Sequence, residues 1–108
     1  MRLTIVADDG AVGIDGLFFF ELNLTALDPT IHAVQWHGEY GEIEYKTIFA
    51  DGVTSKPNNE IITNVTPYQF AVDAWNIAKS EYDAKKEALA KAIAAAKEAA
   101  AEKTVANN

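Results

Sequence analysis

The stretch Ile31-His32-Ala33-Val34-Gln35-Trp36-His37-Gly38-Glu39-Tyr40-Gly41-Glu42-Ile43-Glu44-Tyr45 decides how this chain is read. Val34 and Trp36 alternate with Ala33 and Gln35, and Ile43 and Tyr45 alternate with Glu42, Glu44 and Lys46, which is the period of two of half-buried strands. Between them, Gly38 and Gly41 supply positive φ for a short hairpin loop with a bulge. One face of this hairpin is dry, with Trp36 near its centre, and the other is wet. Aromatic and β-branched pairs across such a hairpin contribute roughly 0.2–1 kcal/mol each, so Trp36, Ile43 and Tyr45 hold the register. A slip of one residue would bury Glu42 and Glu44.

Working back towards the N-terminus, residues 2–7 read as a strand in which Leu3 and Ile5 alternate with Thr4 and Val6, closed by the turn Asp8-Asp9-Gly10. Ala11 to Ile14 is a second short strand, and Asp15-Gly16 is the dipeptide of a two-residue hairpin leading into Leu17-Phe18-Phe19-Phe20. The topology expected is an antiparallel meander. In a strand Phe18 and Phe20 point opposite to Phe19, so either both faces are covered there or a ring is exposed. Residues 21–28 carry Leu22, Leu24 and Leu27 among polar residues and read as a loop with partial strand character, ended by Asp28-Pro29. Lys46 to Asn64 is a turn-rich connection through Asp51-Gly52, Lys56-Pro57 and Asn58-Asn59, with one further short strand around Thr47 to Ala50.

The C-terminal third changes character. Thr66-Pro67-Tyr68-Gln69 predicts a helix start with threonine as N-cap, proline at N1 and glutamine completing a capping box, and Val65 with Phe70 fits a hydrophobic staple. No breaker follows before Lys103. The early stripe Phe70, Ala71, Ala74, Trp75, Ala78 and Tyr82 is expected to dock on the sheet. Ala84 to Ala101 is mostly alanine, with Leu89 and Ile93 as its large apolar residues, and is helical by propensity and by i,i+4 pairs such as Glu87 with Lys91. Tyr82, Leu89 and Ile93 make a thin seam for self-association, and the competing reading is an exposed helix. The fold class expected is therefore α+β: an acidic antiparallel β-meander over residues 1–66, one long helix over 67–103, and a disordered tail over 104–108.

Composition limits the chemistry. A chain of 108 residues without cysteine has no disulfide, thiolate metal site or cysteine nucleophile. With a third of the chain given to an alanine-rich helix, the core is small, and support from the helix or from a second copy is expected. Residues 1–66 hold three bases against ten acids and so carry all of the net charge of −7, which argues against a nucleic-acid surface. Acids follow within a few residues of the N-terminal strand, a pattern neither of a signal peptide nor of a membrane span, so folding in the cytoplasm is expected.

No constellation of residues dictates a reaction. His32 and His37, five apart on one strand, point to opposite faces and do not share a metal. Asp8, Asp9 and Asp15 lack the alternating spacing of a calcium loop and read as turn residues. Glu39, Glu42 and Glu44 offer no paired-carboxylate pocket, and Gly10, Gly13 and Gly16 precede no helix that would cradle a phosphate. The expectation is a non-enzymatic chain without metal or cofactor. The aromatic residues Phe18, Phe20, Trp36 and Tyr40 are the candidates for a partner contact, although Trp36 reads first as a core residue.

At His32-Ala33-Val34-Gln35-Trp36, at Gly41-Glu42-Ile43-Glu44, at Lys56-Pro57-Asn58 and at Pro67-Tyr68-Gln69, the chain resembles a group of small proteins encoded in tailed bacteriophages and prophages, often beside tail-fibre genes. Asp8-Asp9-Gly10 and Asp15-Gly16 extend the likeness, which covers about residues 1–80. These are packing and turn residues, so the resemblance implies a setting more than a mechanism: a tail fibre or other tail component as partner, met in the host cytoplasm during assembly or in the virion tail. Charge alone suggests a different class, a small acidic inhibitor of a host factor or defence protein.

Overall fold

The computed structural model describes residues 1–106 of the chain, and side chains through residue 101. Among these residues the chain forms eight strands, β1 (Leu3–Val6), β2 (Ala11–Ile14), β3 (Leu17–Phe19), β4 (Ile31–Trp36), β5 (Gly41–Tyr45), β6 (Ile48–Ala50), β7 (Val53–Ser55) and β8 (Glu60–Ile62), followed by one helix, α1 (Gln69–Ala106). The fold is α+β, with an antiparallel sheet of order β3-β2-β1-β4-β5-β8 and a separate two-stranded hairpin, β6-β7.

The meander expected from sequence is present in β1-β2-β3, but the chain does not go on adding strands at the β3 edge. Residues 20–30 carry it back so that β4 pairs with the other side of β1, which makes β1 to β4 a Greek key. This connection is tied to the β1-β2 turn by Leu22 N–H donating to Gly10 O at 2.9 Å and Glu21 N–H donating to Asp9 O at 3.2 Å. It contains no strand. Its leucines instead lie against the core, with Leu27 fully inside and Leu22 and Leu24 partly covered.

The registers place every side chain on one of two faces. Leu17, Ile14, Leu3, Trp36, Gly41 and Ile62 form one row across the sheet, and Phe19, Val12, Ile5, Val34, Ile43 and Glu60 form the next. Both rows face the core, which is completed by Ile31, Leu27, Tyr68 and Ala71. The dry and wet alternation of the opening hairpin is therefore the real one, with an irregularity between Ile31 and Ala33 that twists the start of β4. Gly41 does not take positive φ; it is glycine because a Cβ there would collide with the Gln35 carbonyl and crowd the Trp36 ring. The β2-β3 turn is the two-residue kind expected, with Asp15 at φ 50 and Gly16 at φ 89.

The helix start differs from the capping box. Thr66 to Tyr68 form a 3-10 turn without a side-chain cap on Val65, and Asn64 Oδ1 accepts the Thr66 N–H at 3.0 Å, so Asn64 does the work assigned to Thr66. Gln69 bonds forward to Asp73 Oδ1 at 3.0 Å rather than back to the cap. Tyr68 and Ala71 are buried in the core, and Val65, Phe70, Val72 and Trp75 are packed against it, so the opening of α1 belongs with the sheet. Met1–Ile77 is one compact unit, and Ala78–Asn108 is a second. Within the second, Lys79 pairs with Asp83 at 2.6 Å and Lys91 with Glu87 at 3.2 Å, the helix-supporting spacing. The helix runs through Ala106, the last residue described and three residues past the boundary drawn from sequence. The last two residues of the expected disordered tail lie outside the described residues.

Candidate functional site

The face of the sheet opposite the core is the candidate site. Across it runs a row set by pairing alone: Phe18, Gly13, Thr4, Gln35, Glu42 and Ile61, one residue from each strand of the six. The row is apolar at the β3 end and acidic towards β5, where Glu44 joins Glu42. Phe18 lies over Gly13, whose missing side chain leaves the space the ring occupies. Phe20 stacks beside it, ring centroids 6.4 Å apart. Phe18 is 40% and Phe20 61% exposed. Phe19, between them, turns to the other side and meets Trp75 edge-on at 5.8 Å. The run of three phenylalanines thus serves both faces, one ring anchoring the helix and two left in solvent.

Next to the two rings the same face holds an open cleft of about 430 Å³ lined by Arg2, Thr4, Gly13, Phe18, Gln35 and His37. Asp15 Oδ1 accepts the Arg2 backbone N–H at 2.8 Å, fixing the turn at the rim.

Trp36 is 7% exposed and sits in the core row, where the alternation of β4 puts it; most of its area lies inside, although it also contributes to the lining of the cleft. Tyr40 is 50% exposed in the β4-β5 loop, its ring 5.1 Å from that of His37, and stands apart from the Phe18 and Phe20 pair. Tyr82, Leu89 and Ile93 are exposed on α1, and their spacing of seven and four places them on one stripe of the helix.

The ionisable residues form a second, mixed cluster. Asp8 lies 3.8 Å from His32 and 3.9 Å from Lys46, while Lys56 donates to Glu44 Oε1 at 2.6 Å, holding that carboxyl below its ordinary range. Lys46 and Lys56 flank the β6-β7 hairpin, so these pairs tether its two ends to the sheet. Beside this cluster, at the end of β5, the Tyr45 hydroxyl donates to Glu60, and that bond, with desolvation, pushes the phenol up to about 12. His32 and His37 fall in separate places, and Asp8 and Asp15 serve different turns. Among the described residues no three His, Asp or Glu side chains converge as metal ligands, and no helix is long and apolar enough to cross a membrane.

Sequence reasoning missed the β6-β7 hairpin as a feature. Residues 46–61 are all exposed, yet Ile48, Phe49 and Val53 are displayed there on paired strands. The signal was available in Asp51-Gly52, the same dipeptide as Asp15-Gly16, with Asp51 at φ 53 and Gly52 at φ 74. No protein family, curated protein or solved structure matches this chain.

Proposed function

We propose that this chain is a non-enzymatic binding protein of a tailed bacteriophage, whose sheet docks through the open face on a tail fibre or another tail component and assists its assembly. The observation that carries the reading is the stacked pair of Phe18, on β3, and Phe20, just past its end, both held in solvent while Phe19 is used inside. Exposed aromatic pairs on rigid elements are characteristic anchors of protein contacts. The phage setting rests on the resemblance of residues 1–80. In a partner contact the two rings would enter an apolar pocket, and Glu42 would put negative charge at the rim, favouring a basic border on the partner.

Co-expression with the tail-fibre product of the same phage genome tests this. The expected outcome is co-purification or a gain in soluble fibre, lost when Phe18→Ser and Phe20→Ser are combined while the tryptophan fluorescence stays native. A fibre that behaves identically with and without the chain would sink the proposal.

A further inference from the structure

The hairpin β6-β7 is out of keeping with the rest of the domain. Isolated two-stranded ribbons are marginal in water, and this one exposes Ile48 by 47%, Phe49 by 74% and Val53 by 63%. Its two edges are not alike. β7 runs into Lys56-Pro57, a charge and a residue without an N–H, both of which blunt an edge against pairing. β6, reading Ile48-Phe49-Ala50, has no proline beside it and no charge within the strand, and Ile48 and Phe49 have high β-propensity.

The register identifies which backbone groups that edge offers. In a hairpin closed by a two-residue loop, the residues flanking the loop form the hydrogen-bonded pair, here Ala50 with Val53. Pairs then alternate, so Phe49 with Thr54 is a non-hydrogen-bonded pair, and the Phe49 N–H and C=O point away from β7 into solvent. An antiparallel strand centred opposite Phe49 would exchange both bonds with it.

We propose that this strand is β6 of a second copy of the chain, joined across a two-fold axis so that Phe49 faces Phe49 of the partner subunit and two marginal hairpins become one four-stranded sheet. A two-fold contact demands a strand that is complementary to itself, and β6 is. Pairing Phe49 with its counterpart sets Ile48 opposite Ala50 of the partner subunit and brings Asp51 within one position of Lys46 of the partner subunit, so opposite charges meet twice. The Lys46 side chain is free to shift, being held to Asp8 at 3.9 Å in an exposed pair, while its backbone N–H stays bonded to Thr30 O. The segment from Thr47 to Asn59 has one acid and one base, so it is the neutral part of an acidic domain and the part that two equally charged copies can bring together. The contact uses neither Phe18 nor Phe20, and it does not depend on the phage reading.

Sedimentation velocity and native mass spectrometry on the full chain test it across a concentration series. Wild type is expected to form a dimer. Phe49→Lys and Phe49→Glu, each placing like charges across the axis, are expected to raise the dissociation constant more than about tenfold. Mixing the two variants in equal amounts, one of them uniformly 15N-labelled so that the masses separate, should restore a dimer that is the mixed species by mass. Native tryptophan fluorescence in both variants shows that the domain is folded. The proposal is overturned if wild type stays monomeric to millimolar concentration. It is equally overturned if the dimer persists in both variants, or if it ignores them and dissociates with Leu89→Glu, which would assign it to the helix.

Discussion

Replacing Trp75 by phenylalanine tests how the helix is fastened to the sheet. The indole Nε1–H donates to Leu17 O at 2.9 Å, and the ring meets Phe19 edge-on at 5.8 Å, so one side chain grips the outermost strand by its backbone and by its core-facing side chain. Phenylalanine keeps a ring but no donor. Loss of one neutral hydrogen bond costs about 0.5–1.5 kcal/mol, and a smaller ring gives up part of an aromatic contact of similar size, so the domain should lose about 1–2 kcal/mol. For a domain this small, with a urea m-value near 1 kcal/mol/M, the unfolding midpoint should fall by roughly 1–2 M. The chain has two tryptophans, so Trp75→Phe leaves Trp36, inside the core, as the single fluorescent reporter. Ile77→Ala, on an exposed helix position two residues away, is the control and should stay within about 0.5 kcal/mol. A midpoint for Trp75→Phe no lower than that of the control would refute the argument that this residue holds the β3 edge.

Three further outcomes follow from the geometry. Gly41→Ala should destabilise the domain by about 2–3 kcal/mol or prevent folding, measured by the same urea midpoint, because the new methyl meets the Gln35 carbonyl, which cannot move without breaking the β4-β5 register. Tyr45 should be the last tyrosine to ionise in a phenolate absorbance titration. Its folded pKa, pushed up to about 12, lies above its ordinary value, so its contribution to stability is complete below pH 10 and is lost as pH rises from there towards 12; Tyr45→Phe should flatten that alkaline loss. Glu44 is shifted the other way, held below its ordinary value by Lys56. Its small contribution is therefore present above the normal carboxylate range and lost as pH falls below it, and Lys56→Ala should remove that acid dependence while freeing one end of the β6-β7 hairpin, seen as faster amide exchange at Phe49.

How much of this was legible in the sequence depended on whether local pattern and tertiary packing agreed. Ile31 to Tyr45 could be read because alternation, glycine placement and burial all say the same thing there. Asp15-Gly16 and Asp51-Gly52 are the same signal, yet only the first was flanked by enough apolar residues to be taken as a hairpin; the second sits between lysines and a proline and is exposed throughout. The return of residues 20–30 across the sheet left no local mark. Leu22, Leu24 and Leu27 suit a strand or a covering loop equally, and packing decides between them. Thr66-Pro67 satisfies the rule for a helix start, but Asn64, two residues earlier, reached the backbone donor instead. For the site, exposure was the missing quantity. Alternation placed Trp36 on the dry side and Phe18 and Phe20 together on one face, but which face stays open follows only from where Trp75 and the leucines settle.

The strand nearest the N-terminus lies in the interior of the sheet, with β2 on one side and β4 on the other. On a ribosome, β1 acquires its first neighbour almost at once, but its second arrives only when Trp36 has been made and the intervening segment has looped back. Until then Leu3 and Ile5 have an open flank, and nothing made before β4 can close it. Assembly of the domain is therefore gated by the middle of the chain, and a nascent fragment ending before residue 31 should hold a hairpin that is dynamic and prone to pair with other chains. The same arrangement makes residues 3–6 the costliest to delete, since their removal would part the sheet into two pieces, neither able to cover the other's core.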